Sequence, residues 1–532
     1  MTARSETRTE RDLSIGVDVG GTNTDAVVLD GTGRVLAHTK QATTEDVTGG
    51  IRSGIAQVLA EIAGKRHRVS RVMLGTTHAT NAIVARRGLD RVAMVRLGAP
   101  AATEFPPLLG WPDELSSLVL AGSAMIRGGH MVDGTPIAAL DRDGILRFLD
   151  GLDGFDAVAV AGIFSPSTPD QEQEVAELIR AERGADTRVF LSQDIGPIGL
   201  LERENATVLN AALYSVARTV TEALVTVVAE EGLDAVTFFA QNDGTLMSLE
   251  YAAQYPVLTI GSGPANSIRG AAYLSGTEDA IVIDVGGTTS DLGVVVHGFP
   301  RESTLPREIG GVRTNFRMPD ILSLGIGGGT IVDPSTGAVG PDSVGYRIGT
   351  EGLLFGGATP TLTDAAALAD TVIAGRRLPS QPPKTQDTLR EALQVAHGRL
   401  EEAVERLSLG RVDLPLIVVG GGGFLVPEEL PGVSEVIRPG HGDVANAVGA
   451  AIALAGGRAD QLAVLGEREQ AIAAASETAI ARAIQAGADP LEVAVVDVLE
   501  TPVTYTDRPT VKVSVKAAGP LARLGERTAA RA

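Results

Sequence analysis

The chain has 532 residues, of which 44% are hydrophobic and 21% charged, and its formal net charge is −21 at pH 7. This length favours two or three domains over a single core, and the acidic balance argues against nucleic acid or an anionic membrane surface as the main partner. The absence of cysteine excludes disulfides, thiolate nucleophiles and cysteine-ligated metal centres.

The first residues are polar, and no apolar run reaches the roughly 18 residues that a membrane-spanning helix needs. Residues 1–11 are therefore expected to be disordered, with neither a signal peptide nor a membrane span. A cytoplasmic location is the expectation that follows.

The first structured segment is predicted to be an α/β unit. Its predicted elements are strands at 13–19, 25–30 and 33–43, a helix at 46–64, a strand at 71–76, a helix at 79–88 and a strand at 91–97. Three meandering strands followed by helix-linked parallel strands resemble the core of an actin-like ATPase lobe.

A second hairpin repeats the first one later in the chain. IDVGGTTSDLGVVV (283–296) matches VDVGGTNTDAVVLD (17–30), which aligns Asp18 with Asp284. Further predicted elements are a third strand at 311–317, a buried strand and glycine turn at 414–423, helices at 443–456 and 467–489, and strands within 491–517. A repeat separated by half the chain predicts two related lobes that face one another.

The predicted fold class is therefore α/β, with duplicated actin-like (ribonuclease H-like) lobes around a nucleotide cleft. The first lobe is expected to span 12–200 and the second 201–465. A C-terminal helix, strands and a loose tail are expected over 466–532.

Each hairpin turn offers a dense set of backbone amides. Glycine lets the backbone approach a ligand closely, and consecutive N–H groups form a nest that suits phosphate. One such turn is more often only a tight hairpin, but two matching copies predict a triphosphate held from both sides. The residues predicted to bind the nucleotide are Gly20, Gly21, Thr22, Asn23, Thr24, Gly286, Gly287, Thr288, Thr289, Gly327 and Gly328, with Gly420, Gly421 and Gly422 beside the adenosine.

The two aligned carboxylates are predicted to serve a metal. Mg²⁺ accompanies a nucleotide triphosphate and prefers oxygen ligands, often through water. Asp18 and Asp284 each stand at the end of an apolar strand, where they could hold the metal and the attacking oxygen. ATP and Mg²⁺ are therefore the expected cofactors.

Collinear segments between residues 13 and 370 carry a resemblance to a known family. They are GVDVGGTNTDAVVLD, LGTTHATNAIVARRG, RGGHMVDGTPIAALD, ENATVLNAAL, QNDGTLMSLEYAAQYPVLTIGSGPANSIRGA, IVIDVGGTTSDLGVV and ILSLGIGGGTIVD. On these residues the chain resembles a short form of the A-type subunit of the hydantoinase/oxoprolinase family, within the actin, sugar kinase and heat-shock ATPase superfamily. The resemblance implies ATP-dependent hydrolysis of a cyclic amide (a hydantoin, oxoproline or another lactam) by phosphorylation of its carbonyl oxygen, with a B-type partner subunit.

The segment GTTHATNA (75–82) is predicted to lie between a strand and a helix. Thr77 is the predicted catalytic donor, because its hydroxyl and the first helical amides could hold a carbonyl or a γ-phosphate. The alternative is a simple helix cap by this threonine. Thr76, His78 and Asn81 are the residues predicted to contact the substrate.

The histidines depart from the family pattern. Leu74 stands where the family usually has a histidine, and His78 follows four residues later. His78 could be an acid–base group or a metal ligand, although a polar packing position fits it as well. His130, in a matching family segment, and His441, near the expected adenine position, are further functional candidates, and a surface turn fits His130 equally well.

The sequence leaves other functions open. A regulatory or reactivating ATPase would act on a protein partner, a carboxylase subunit would phosphorylate a ketone enol, and a kinase would release a stable phosphorylated product. The expected partners are a small carbonyl compound and a B-type subunit, and a homodimer is left open.

Overall fold

The computed structural model describes residues 11–21, 23–43, 47–196, 198–303, 306–315, 318–369, 372–503 and 508–522. Residues 1–10, predicted to be disordered, and the end of the predicted loose tail lie outside the described residues. Thr22, predicted to bind the nucleotide, also lies outside them.

The first half of the chain alternates strands and helices. The strands are β1 (Leu13–Val19), β2 (Asn23–Leu29), β3 (Val35–Ala42), β4 (Val69–Thr76), β5 (Val92–Ala99), β6 (Leu120–Arg127), β7 (Ala157–Gly162), β8 (Val189–Leu191), β9 (Val236–Ala240) and β10 (Leu246–Ser248). The helices are α1 (Val47–Glu61), α2 (His78–Ala85), α3 (Asp113–Val119), α4 (Arg142–Asp150), α5 (Asp170–Arg183), α6 (Ser192–Ile195), α7 (Leu200–Ala212), α8 (Tyr214–Glu230), α9 (Leu249–Gln254) and α10 (Ser262–Ser275).

The second half begins with the repeated hairpin. Its strands are β11 (Ala280–Val285), β12 (Ser290–Val296), β13 (Phe299–Pro300), β14 (Arg307–Ile309), β15 (Val312–Thr314), β16 (Leu322–Leu324), β17 (Thr330–Val332), β18 (Val339–Ser343), β19 (Leu416–Val419), β20 (Val436–Ile437), β21 (Ala455–Val464), β22 (Ala494–Val503) and β23 (Thr510–Gly519). The helices are α11 (Ile348–Glu351), α12 (Leu362–Leu368), α13 (Pro383–Ser408), α14 (Ala445–Ile452) and α15 (Arg468–Ala486).

No individual helix of the described residues is long and apolar enough to cross a membrane. Among the described residues, helices α7 and α8 together have the length and apolar composition of a membrane span, but the two helices meet at an angle of 50°.

The first hairpin lies within a nine-stranded sheet of order β22-β23-β21-β10-β9-β4-β1-β2-β3. β1 pairs antiparallel with β2, β2 pairs antiparallel with β3, and β1 pairs parallel with β4. The predicted meander of three strands is thereby confirmed. β1 and β4 are apolar along almost their whole length because helices cover the sheet, and α1 and α8 contribute to the core beside them.

The strand predicted at 91–97 forms, but its predicted place in the first sheet was wrong. β5 pairs in parallel with β6 and β7 in a separate sheet of order β6-β5-β7-β8, while β9 takes the position next to β4. We call residues 92–195, which form this separate sheet and helices α3 to α6, the inserted module. A buried ion pair between Arg96 and Glu204, at 2.5 Å, joins β5 of the inserted module to α7.

The second hairpin repeats the pairing of the first. Asp284 faces Asp291 across it, as Asp18 faces Asp25, so the predicted alignment of the two hairpins is confirmed. β11 also pairs in parallel with β19, the predicted late strand. The strand predicted at 311–317 forms as β15, but its predicted place as the third strand was wrong, because β15 pairs with β14 in a separate sheet and β13 and β16 flank β12.

Strands from distant parts of the chain complete the first sheet. β10 pairs in parallel with β21, and β21 and β22 both pair antiparallel with β23. The sheets therefore run across the predicted boundaries at residues 200 and 465. Local sequence pattern indicates a strand but does not indicate which strand lies beside it.

Helices α10 and α14 cross closely between the two hairpin sheets. A Cβ atom on Gly270 of α10 would lie 1.8 Å from the carbonyl oxygen of Ala445, and one on Gly449 of α14 would lie 1.9 Å from that of Asn266. α10 packs in one core with β11, whereas α14 packs in another with β2. The glycines thus permit a contact that joins the two hairpin sheets.

Candidate functional site

A cavity of about 370 Å³ lies between the two hairpins. Its lining includes these residues predicted from the sequence to bind a nucleotide or metal: Gly20, Gly21, Asn23, Asp284, Gly286, Gly287, Thr288, Thr289, Gly328, Gly420, Gly421 and Gly422. The structure therefore brings the two repeated turns and the glycine turn after β19 together in one place.

The two hairpin turns have the same local geometry. The amide of Gly20 donates to the carbonyl of Asn23 at 2.9 Å, and the amide of Gly286 donates to that of Thr289 at the same distance. A Cβ atom on Gly21 or on Gly287 would meet no atom within 4 Å. Both turn tips therefore border open space in the cavity, where an occupant could approach the backbone.

The glycine-rich segment before β17 supports the second hairpin. The amide of Gly328 donates to the carbonyl of Gly286 at 3.0 Å, and that of Gly329 to Gly287 at 2.6 Å. A Cβ atom on Gly327 would lie 2.6 Å from the backbone of Thr288. Gly327 was predicted to bind the nucleotide, but it packs behind the turn and only Gly328 of this pair lines the cavity.

Thr24, also predicted to bind the nucleotide, does not line the cavity. Its side chain is buried, and its hydroxyl shares a hydrogen bond of 3.2 Å with Thr43. Along β2 it alternates with Asn23, so the two side chains point to opposite faces of the strand. Only Asn23 reaches the cavity.

The glycine turn after β19 packs tightly on the second hairpin. A Cβ atom on Gly420 would lie 2.3 Å from the Oδ1 atom of Asp284, and Gly420 has a φ of 85°, which favours glycine. A Cβ atom on Gly422 would lie 2.8 Å from the carbonyl oxygen of Gly286. The turn is therefore shaped by its contact with the carboxylate and the turn beside it.

One helix holds both predicted metal carboxylates. Asp18, which is 3% exposed, accepts hydrogen bonds from Asn446 Nδ2 at 3.0 Å and from Asn266 Nδ2 at 3.5 Å. Asp284 accepts a hydrogen bond from the hydroxyl of Ser267 at 2.5 Å. Because Asn266 and Ser267 are neighbours on α10, this helix links the carboxylate of one hairpin to that of the other.

The carboxylates of the two hairpins perturb one another. Burial raises the pKa of Asp18 to about 7, and the charges of Asp25 and Asp284 raise it as well. Burial also raises the pKa of Asp25 and of Asp291. A bound cation would relieve this repulsion.

The described residues contain no group of three or more His, Cys, Asp or Glu side chains arranged to hold a metal ion. Mg²⁺ usually keeps several waters and is held by one or two carboxylates together with substrate phosphates.

The raised pKa of Asp18 predicts a pH dependence of stability in the metal-free protein. Between the usual value of 3.8 and about 7, the native carboxyl keeps a proton that the unfolded chain has lost. The free energy of unfolding contributed by this group should therefore fall as pH rises across that interval. In urea unfolding with EDTA, Asp18→Asn should lose part of the stability decrease between pH 5 and pH 8.

Asp186→Asn is the matched control, because Asp186 is exposed in the inserted module. An Asp18→Asn variant with the same pH dependence as the wild type would show that Asp18 ionises normally.

Lys40 was not among the residues that the sequence motifs predicted. It is the one Lys or Arg side chain among the described residues that line the cavity. Its ammonium group donates to both carboxylate oxygens of Asp25, at 2.9 and 2.8 Å, and to the carbonyl of Asp443 at 3.0 Å. Its position opposite Asp25 in the β2–β3 register could have been found by counting from the hairpin turn.

The residues predicted to contact the substrate lie beside the cavity rather than in its wall. β4 ends at Thr76, which pairs with Val19 at the end of β1. Thr77 occupies the first position before α2, but its hydroxyl donates to the carbonyl of Val19 at 3.4 Å and makes no cap hydrogen bond. Asn81 donates to the hydroxyl of Thr77 at 3.3 Å, and burial lowers the pKa of the half-buried His78.

The other two candidate histidines are separated. His130 is buried in the inserted module, 3.2 Å from a carboxylate oxygen of Asp170. His441 directly precedes Gly442 and Asp443, which line the cavity.

The duplicated hairpins, their flanking parallel strands and the intervening cavity define an actin-like α/β fold. The chain belongs to the hydantoinase/oxoprolinase family. It matches the family's N-terminal region over residues 14–183 and the hydantoinase/oxoprolinase region over residues 203–410. The fold class and the family expected from the sequence are both confirmed.

Curated relatives include the caprolactamase subunit alpha of Pseudomonas jessenii, which is 27% identical over 75% of this chain and 60% of its own length. The acetophenone carboxylase gamma subunit of Aromatoleum aromaticum is 27% identical over 75% of this chain and 59% of its own. The acetone carboxylase beta subunit of Xanthobacter autotrophicus is 26% identical over 66% and 53%. The chain thus aligns with less than two thirds of each of these relatives.

Two solved structures share the fold. The ATP-dependent caprolactamase from Pseudomonas jessenii superimposes with a TM-score of 0.78 at 21% identity, over 96% of this chain and 88% of the other. A nucleotide-free acetone carboxylase superimposes with a TM-score of 0.67 at 18% identity over the same shares.

Proposed function

We propose that the chain binds Mg²⁺ and ATP between its two hairpins and uses ATP to activate the carbonyl oxygen of a cyclic amide. The observation that carries this proposal is the convergence of both repeated turns and the glycine turn after β19 on one cavity. A phosphate chain needs many donors at low steric cost, and the open space beside Gly21 and Gly287 leaves room for it.

The predicted residues take the following roles. The turns at Gly20–Gly21 and Gly286–Gly287 present backbone amides to the phosphates, and the hydroxyls of Thr288 and Thr289 add donors. Asp18 and Asp284 would hold Mg²⁺ through oxygen atoms or water, and the bound Mg²⁺ would neutralise charge on the phosphates. Gly420, Gly421 and Gly422 leave a flat surface for the adenosine.

Lys40 adds a positive charge on the first lobe's side of the cavity. In the structure its ammonium group is shared between Asp25 and the carbonyl of Asp443. A triphosphate in the cavity would compete for that ammonium group. Lys40 would then stabilise the charge that develops during phosphoryl transfer.

The reaction class is suggested by the relatives. The caprolactamase subunit alpha is named for a cyclic amide, and a 5-oxoprolinase from Arabidopsis thaliana is 26% identical over 76% of this chain. Transfer of the γ-phosphoryl group to the amide oxygen would make the carbonyl carbon of the ring susceptible to nucleophilic attack by water. Hydrolysis then breaks the ring C–N bond and leaves an amine, a carboxylate, ADP and phosphate.

The names of the relatives also suggest a partner. Three of them are named as alpha, beta or gamma subunits, so a B-type subunit could complete the hydrolysis. Domain closure over the cavity would exclude water, which otherwise consumes ATP.

A second candidate function is activation of a ketone enol for carboxylation. It is favoured by the two relatives named as carboxylase subunits. Both candidates use the same nucleotide cavity, so the stimulating compound distinguishes them. Phosphate release should be screened with lactams, hydantoins and ketones, with and without a B-type subunit.

The screen has three informative outcomes. Stimulation by a cyclic amide supports the proposal, and stimulation only by ketones supports the carboxylase function. If no compound stimulates the wild type under either condition, the enzyme proposal falls and a regulatory ATPase becomes the better account.

Thr77→Ala should reduce substrate-stimulated ATP turnover and leave the affinity for ATP near that of the wild type. Thr77 stands where β4 meets α2, beside the first hairpin but outside the nucleotide cavity. The loss of one positioned donor commonly costs roughly 2.7–4 kcal/mol in the transition state. Steady-state kinetics with the stimulating compound measures this loss.

Thr80→Ala is the matched control, because Thr80 lies on the same helix one turn further on. Equal turnover in Thr77→Ala and Thr80→Ala would contradict the role given to Thr77. His78→Ala should change which compounds stimulate turnover more than it changes basal hydrolysis.

A further inference from the structure

A second cavity, of about 520 Å³, shares no lining residue with the first. Its walls come from the inserted module, the loop after β9, strand β21 and helix α15. Its volume suits a small molecule. The wall after β9 is formed by Gln241, Asn242 and Asp243, which begin the segment QNDGTLMS that the nucleotide site does not use.

Opposite charges line this cavity without pairing. Asp194 lies on α6 of the inserted module, and Arg482 lies on α15. Within the described part of the chain neither side chain forms an ion pair, and Arg482 donates only to the carbonyl of Arg458, at 2.7 Å. Burial and the charge of Glu172 raise the pKa of Asp194, whereas the charge of Arg482 and a hydrogen bond with Gln193 lower it.

The remaining charged side chains in the wall already have partners. These are Asp243 with Lys516 at 3.0 Å, Arg458 with Glu302 at 2.6 Å, and Asp460 with the hydroxyl of Ser514. Asp194 and Arg482 are therefore the pair of opposite charges that an occupant could engage.

Buried polar atoms of the lining residues also lack partners. Asn242 is 4% exposed, and its Nδ2 atom has no hydrogen-bond partner in the described structure. The Oε1 atom of Gln193, the neighbour of Asp194, likewise has none. An unsatisfied buried donor or acceptor costs free energy that a polar ligand would recover.

We propose that the second cavity binds a small zwitterionic amino acid. Its ammonium group would lie at Asp194 and Gln193, and its carboxylate at Arg482 and Asn242. An ammonium group needs acceptors and a carboxylate needs donors, and these four side chains supply both kinds within one cavity.

The reaction in the proposed function would itself produce an amino acid of this class. Hydrolysis of a lactam breaks its C–N bond, adds the water oxygen to the carbonyl carbon and leaves one amine and one carboxylate, both charged near neutral pH. The cavity is thus suited to the ring-opened product. This link rests on the proposed function, whereas the binding of an amino acid does not.

Calorimetric titration of the nucleotide-free full chain tests the inference. The probes are glutamate, 5-aminopentanoate and 6-aminohexanoate, with pentylamine and pentanoate as singly charged controls. At least one amino acid should bind with one site per chain, and the singly charged compounds should bind about tenfold more weakly or worse.

Substitutions then assign the binding to this cavity. Asp194→Asn and Arg482→Gln should each weaken the affinity about tenfold or more, whereas the exposed controls Asp186→Asn and Arg406→Gln should not. Thr478→Trp, at an exposed position of the cavity wall on α15, should block binding without entering the core. Thermal unfolding confirms that each variant is folded.

The inference is overturned if none of the three amino acids binds the wild type, or if all three cavity variants bind as the wild type does. Lactam-stimulated ATP turnover, measured in parallel, separates the two proposals. Amino acid binding without such turnover supports the cavity assignment and counts against the proposed function. Turnover without amino acid binding overturns only the cavity assignment.

Discussion

Asp18→Asn and Asp284→Asn are each expected to abolish ATP hydrolysis while the fold survives. Asparagine has nearly the same shape as aspartate, so the contacts with Asn446 and with Ser267 can be retained. What is lost is the negative charge that would hold Mg²⁺ between the two hairpins. A loss on the order of 10²–10³-fold or more in phosphate release is expected at saturating ATP.

Circular dichroism should show the same secondary structure in both variants. Asp497→Asn, at an exposed position on β22, is the control for loss of a surface charge. If both hairpin variants kept the wild-type rate of hydrolysis, the metal would not lie between the hairpins.

Gly21→Val and Gly287→Val are expected to prevent nucleotide binding without unfolding the protein. Neither glycine has a φ in the left-handed region, and an added Cβ atom would meet nothing within 4 Å in either case. The fold therefore has room for the first atom of a side chain at both positions. The methyl groups would instead occupy the space where the phosphates must approach the turn amides.

Binding of a non-hydrolysable ATP analogue, measured by calorimetry, should fall at least about a hundredfold in each variant, as expected when several charge-assisted hydrogen bonds are lost together. Gly64→Val is the matched control, because Gly64 also has open space at its Cβ position and lies outside the cavity. Wild-type affinity in either hairpin variant would mean that this hairpin does not touch the phosphates.

The local patterns of the sequence predicted the two hairpins and their alignment. An apolar strand followed by Asp-x-Gly-Gly-Thr is a local signal, and its repetition placed Asp18 and Asp284 in equivalent positions. The glycine turn after β19 was predicted because it directly follows a buried apolar strand. Short-range features of this kind do not depend on how the rest of the chain packs, so the sequence alone predicts them.

The features that depend on distant contacts were missed or misplaced. β5 has the apolar pattern of any buried parallel strand, and the pattern did not reveal that it belongs to the inserted module. Asn266 and Asn446 reach Asp18 only because α10 and α14 cross at two glycines. The register of Lys40 with Asp25 is local, but its contact with the carbonyl of Asp443 comes from the other end of the chain.

The α10–α14 crossing also explains how the two lobes can act together. Asn266 holds the carboxylate of the first hairpin, and the adjacent Ser267 holds that of the second. Helix α10 therefore couples the positions of the two carboxylates. Under the proposed function, closure on ATP would move both carboxylates towards the metal together.

The most direct test of the central claim, that ATP cleavage on this chain drives the opening of a cyclic amide, is to measure both products in one sample. The protein, with a B-type subunit, is incubated with Mg²⁺, ATP and the cyclic amide that best stimulates phosphate release, and ADP and the linear amino acid are measured together over time. The account predicts that they appear in equal amounts and that both are lost in Asp284→Asn. ADP without any amino acid, or an amino acid formed equally well without ATP, would contradict it.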